Sequence, residues 1–269
     1  MQILKGGLIV FLLMFQTLGL FANLSLEGHY QGKSLFIQNP EDEDGFGFCV
    51  TQVTVNGKPI VESVQKPAFE IGFDELDIKI GDLVFIVLEH GIGCKPKILN
   101  PEVLLPKSTF EIKEMSCSAD GNFTWSTLNE SGKLAFIIEQ YRWNKWVVVG
   151  QVNGIGLNTL NNYSFKVSPH SGENQLRVVQ IDHSGKKRVS EPIKFVNSSI
   201  QAPNFFPKRV KDVIKFSAEG VAMVTKFEIF DAYGNIVKKG LASEVDCSNL
   251  RKGAYYINYD NKSEKFIKG

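Results

Sequence analysis

Histidine is scarce in this chain, four among 269 residues (His29, His90, His170, His183), and each stands singly. His90 and Cys94 are four apart, but Gly91 and Gly93 forbid the helix that would align them, and no other pair has zinc-ligand spacing. There is no Gly-x-Ser-x-Gly elbow and no recognisable Cys/His pair of nucleophile and base, so the sequence offers no catalytic residue, metal ligand or cofactor contact. Charge excess is also missing: the formal net charge is +1, which argues against a nucleic-acid binder. Long apolar runs are absent after residue 22, and no amphipathic helical stretch of useful length occurs.

What is present is a leader followed by strand-like segments. Lys5 supplies a positive charge, Leu8 to Leu20 an apolar stretch and Leu20-Phe21-Ala22 a cleavage site, so residues 1–22 read as a secretory signal peptide. Gln16 and Thr17 interrupt the stretch, which falls short of the ~20 residues a spanning helix needs. Four cysteines in an exported chain invite pairing. Cys49 and Cys94, each near glycine, are the candidate disulfide, free thiols being the other reading; Cys117 and Cys247 are expected to stay single.

The remainder divides into three expected modules, 23–106, 107–199 and 203–269. The first carries six lysines and no arginine against thirteen acidic residues, whereas the last carries twelve basic against eight acidic ones. The acidic head suits a basic partner or simply a solvated surface. In the first module residues 34–37, 50–55, 76–80 and 83–88 read as strands, and Asn56-Gly57 is the strongest hairpin signal. Glu41-Asp42-Glu43-Asp44 lacks the alternate ligand spacing of an EF-hand and reads as an exposed turn. Gly28-His29-Tyr30-Gln31-Gly32-Lys33-Ser34 has one residue too few for a phosphate loop, and a strand follows it. In the second module Phe123 and Trp125 alternate with polar residues on one strand, and seven or so strands in all lie at sandwich spacing. Tyr141 and Trp143, at a hairpin that also holds Arg142, Lys145 and Trp146, are candidate ligand-contact aromatics for a sugar or protein surface.

Two resemblances sharpen this. Trp125, Ser126, Glu130, Phe136, Ile138, Glu139, Trp146, Val149-Gly150 and Gly154, then Arg177, Gln180, Asp182, Gly185 and Ser190, match the pattern of a fibronectin type III-like domain found in surface proteins of Bacteroidota. Leu176 departs from the tyrosine usual there. Residues 203–269 resemble the C-terminal sorting domain of the type IX secretion system. They open on Pro203-Asn204, with Phe205 in place of a second proline. The resemblance rests on Asp231 and Gly234 in a hairpin, Leu250, Gly253 and Tyr255, and the terminal Lys265-Phe266-Ile267-Lys268. It implies that these residues serve recognition by the type IX translocon and its outer-membrane shuttle barrel, with surface lipopolysaccharide as the acceptor after processing. The expectation is an all-β protein of three consecutive antiparallel sandwiches, immunoglobulin-like or fibronectin III-like. It would be non-enzymatic, exported through the periplasm to the outer-membrane surface or secreted, and its first two modules would bind an unknown protein or glycan. The alternative is a resident accessory of the secretion or gliding-motility apparatus that keeps its sorting domain.

Overall fold

The computed structural model describes residues 21–42, 45–60 and 63–269. The expected leader lies outside them apart from Phe21 and Ala22, which begin the first strand, and so do Glu43 and Asp44 of the acidic run. Among the described residues the chain is all-β, six sheets broken only by two short 3-10 turns, Asp74–Leu76 and Pro101–Leu104. No helix there is long and apolar enough to cross a membrane.

Two compact units emerge, and they do not follow chain order. The first takes residues 21–27, 34–72 and 84–101; the second takes 28–33, 73–83 and 102–269. In the first, one sheet runs in the order Phe21–His29, Leu83–Gly91, Val50–Val55, Lys58–Pro59, and the other Ala68–Ile71, Leu35–Gln38, Lys97–Ile98. Side chains alternate across each sheet, so Leu35 and Ile37 are buried while Phe36 and Gln38 are exposed. Asn56 and Gly57 both take positive φ, as the two-residue hairpin joining Val55 to Lys58 requires. Cys49 and Cys94 are bonded to each other, with their Cα atoms 5.6 Å apart.

Residues 76–80, which the sequence reads as a strand, form none. The 3-10 turn ends on Asp77 at φ 53°, and Asp82 accepts the Lys79 amide through its carboxylate, so local side-chain bonding defeats the alternating pattern. This segment goes with the second unit. There Tyr30 donates to Asp74 at 2.9 Å, and the Gln31 amide reaches the Ser131 carbonyl at 2.6 Å.

The second unit contains two sandwiches. In the first of these, Glu111–Cys117, Asn122–Leu128 and Asn161–Lys166 form one sheet. Lys145–Val152, Phe136–Arg142 and Gly172–Ile181 form the other, with Lys187–Val189 and Ile193–Asn197 both pairing to Gly172–Ile181. Trp125 stacks on Phe123 at 5.1 Å and on Tyr163 at 5.2 Å, and Phe136 closes the cluster. Glu130 is 1% exposed. Its carboxylate is satisfied by the Tyr163 hydroxyl, the Thr127 hydroxyl and the Gly156 amide. Burial and that carboxylate together push the Tyr163 phenol well above its ordinary pKa. Gly150 and Gly154 are needed for space: a Cβ would lie 2.0 Å from the Phe165 ring or 2.1 Å from the Leu134 carbonyl.

The last sandwich sets Asn204–Phe206, Val213–Ala218, Val221–Ala222 and Glu244–Asp246 against a five-stranded sheet. That sheet is ordered Arg209–Val210, Lys262–Lys268, Gly253–Tyr259, Thr225–Phe230, Ile236–Ala242. Phe205, Phe216, Phe227, Tyr259 and Phe266 fill the space between. One pair departs from the antiparallel expectation: Arg209 and Val210 run parallel to Ile267 and Lys268.

Candidate functional site

The residues that carry the sorting-domain resemblance are mostly placed where they build the domain. Asp231 accepts the amides of Tyr233 and Asn235 at 2.9 Å and the Asn235 side chain at 3.0 Å. Those bonds, the Asn235 side chain foremost, hold its carboxyl below the usual range. Gly234 takes φ 86° in the same turn, and Gly253 takes φ 154° at the start of its strand. Leu250 packs on the core, while Tyr255 stacks on Phe266 at 5.4 Å and donates to the Arg251 carbonyl. Of the terminal four, Phe266 and Lys268 are buried; Lys265 and Ile267 face outward. Arg209–Val210 covers only the end of the final strand, pairing with Ile267 and Lys268. Ile236–Ala242 is the edge strand on the other side of that sheet. Sequence reading also passed over Tyr233, 91% exposed at the hairpin tip beside Asp231.

The hairpin carrying Tyr141 and Trp143 is not an open ligand platform. Tyr141 is half-buried, edge-on to Trp146 at 5.3 Å. Trp143 is only 9% exposed, and it holds φ 53°, a left-handed conformation costly for a bulky residue. The reason lies across from it, in the turn that joins Tyr259 to Lys262. The Trp143 amide donates to the Asn261 side chain at 3.0 Å. Arg142, 2% exposed, donates to the Asp260 carbonyl at 3.1 Å, to Gln140 at 2.7 Å and to the Ser168 carbonyl. Asp260 in turn accepts the Ser171 amide at 3.0 Å and its hydroxyl at 2.5 Å. Lys145 closes the rim on Glu228 at 2.7 Å and lies over the rings of Trp143 and Phe230.

Two hairpin turns from different sandwiches are thus clasped within the second compact unit. Burial holds the Arg142 guanidinium down to about 10. It also holds His170, 1% exposed nearby, below its ordinary value of 6.5. No signal in the sequence marks Arg142 or Asp260 as partners, 118 positions apart.

Cys117 is half-buried and Cys247 buried; both are free thiols, and burial raises Cys117 to about 11. Among the described residues no group of three His, Cys, Asp or Glu side chains is placed to hold a metal.

Residues 204–269 match the family of secretion system C-terminal sorting domains. No curated protein matches the chain in sequence. Among solved structures, it aligns over 92% of its length with 63% of the BSP domain of a biofilm associated protein, at 9% identity and a TM-score of 0.25. It aligns over 93% with 97% of the FN1-FN3 domains of chicken CNTN1, at 10% identity and a TM-score of 0.27. Dimeric latent PorU from Porphyromonas gingivalis aligns over 92% of the chain and 31% of its own, at 11% identity and a TM-score of 0.22. Superpositions this loose carry no argument about architecture or role.

Proposed function

We propose, from a last domain that belongs to the secretion system sorting family, that this chain is a non-catalytic β-protein whose leading sandwiches act as a binding or adhesion module on the cell surface. A sorting domain of this kind implies export by the type IX system to the cell surface or the medium. The translocon and its outer-membrane shuttle barrel are the partners the domain would meet, with surface lipopolysaccharide as the acceptor if it is removed. The match over 204–269 is the one observation that carries the reading. Deleting residues 203–269 is expected to trap the protein in the periplasm; the truncated protein on the cell surface would overturn it.

A second reading has its own support. The clasp of Arg142 on Asp260 ties the sorting domain to the sandwich before it, an arrangement suited to a component that keeps the domain and stays on the secretion or motility apparatus. Mass spectrometry of surface-bound protein separates the two. Loss of everything after about Asn197 marks processed cargo, and an intact C-terminus marks a resident part.

A further inference from the structure

Beside the clasp lies an open cleft of about 590 Å³. Two sheets reach it by their outermost strands. Among the described residues Lys145–Val152 pairs only with Phe136–Arg142, and Ile236–Ala242 only with Thr225–Phe230. An edge strand presents unpaired amides and carbonyls, a template for another strand. Here one of those groups can be located. The Lys226 ammonium donates to the Val148 carbonyl at 3.4 Å, so that carbonyl points away from its own sheet. The ladder with Phe136–Arg142 carries a bulge at this point, Glu139 facing Val148 and Ile138 facing Gly150 with Val149 the extra residue, which disrupts the regular pairing of the edge.

The cleft is also short of negative charge. Lys226 and Lys239 line it and form no ion pair among the described residues. Arg142 at its floor bonds neutral acceptors, while Glu228, the carboxylate in the lining, is taken by Lys145. Burial, with Arg142 and Lys239 nearby, lowers the Lys226 pKa. Val147, Val149 and Phe227 add apolar wall.

We propose that this cleft docks an extended acidic peptide segment of a partner protein, which adds as a strand along Val147–Val149 and sets its carboxylates on Lys226 and Lys239. Addition to a sheet edge supplies main-chain hydrogen bonds, and the lysines supply the preference for acidic side chains. On docking, Lys226 leaves the Val148 carbonyl to the incoming amide and takes a carboxylate instead. The cleft is proposed independently of the export route, so a failed export test leaves it standing.

The test uses the full chain and a fluorescein-labelled peptide of about ten residues alternating Glu and Val, a length typical of a strand, followed by fluorescence polarisation. Saturable binding is expected, weakened about tenfold or more in the Lys226→Glu/Lys239→Glu double variant, the scale of a lost charge pair. Lys239→Glu alone, at an exposed position, serves if the double variant melts early. A matched Lys/Val peptide is expected not to bind. A Glu/Val peptide N-methylated at alternate amides keeps the charge but cannot pair, and it too is expected not to bind. No binding by the Glu/Val peptide, undiminished binding in the variants, or equal binding by the Lys/Val or methylated peptide would each overturn the proposal.

Discussion

The first compact unit and the sorting sandwich are both small two-sheet assemblies, yet they are held by different means. The first closes a loop covalently: Cys49 and Cys94, 45 positions apart, constrain its unfolded chain. The sorting sandwich contains no disulfide, and its Cys247 is a free buried thiol. It relies on an aromatic interior, Phe205 to Phe266, and on the turn at Asp260 seated against Arg142, Trp143 and Ser171 of the neighbouring sandwich. One region carries its reinforcement within itself; the other borrows it from a neighbour. A borrowed clasp, unlike a covalent one, can be undone without chemistry.

Arg142→Ala should test the borrowed half hardest. It removes the donor of three hydrogen bonds and leaves the Asp260 and Ser168 carbonyls without it. The expected cost is about 4 kcal/mol, from unsatisfied groups at about 1–3 kcal/mol each plus lost packing. In limited proteolysis the 197–203 linker should become cleavable with release of the tail. An unchanged digestion pattern and melt would break the comparison. Next, Cys49→Ser/Cys94→Ser should lower stability by about 3 kcal/mol, within the usual range for a native disulfide. Thermal unfolding followed by hydrogen exchange should place the loss in the first unit alone; loss of protection at 204–269 would show that the two regions do not differ as described.

The smallest effect is pH dependence through His170. Its folded pKa lies below 6.5, chiefly through burial, with Arg142 adding repulsion. The groups facing it are Arg142, Asp260 and the Ser171 carbonyl. As pH falls through 6.5 the unfolded chain takes up a proton that the folded ring resists, so stability falls toward acid and is full above that value. His170→Gln should flatten this slope between pH 7 and 5 in denaturant melts. A slope unchanged by the substitution would mean that the histidine does not feel the clasp.

Alternation and turn chemistry made much of this legible. Leu35 and Ile37, Phe123 and Trp125, and the Asn56-Gly57 hairpin are local signals whose meaning survives folding, because one face of each sheet must be dry. Where local bonding competes, the same signal misleads: Leu76 to Ile80 alternates like a strand, yet Asp77 and Asp82 turn it. The site was hardest to read. Trp143 looks like an exposed tip because nothing nearby in the chain covers it; its cover is Asn261, 118 positions on. Of the residues that carry the resemblance, Asp231, Gly253 and Tyr255 shape turns and core, while Lys265 and Ile267, with Tyr233 beside Asp231, face outward.

The seven residues Lys262–Lys268 pair along their whole length with Gly253–Tyr259, and Ile267 and Lys268 also pair with Arg209–Val210. They are also made after every other strand of it. A message cut short before them leaves a gap no earlier segment can close, and the Phe266 ring that Tyr255 leans on never arrives.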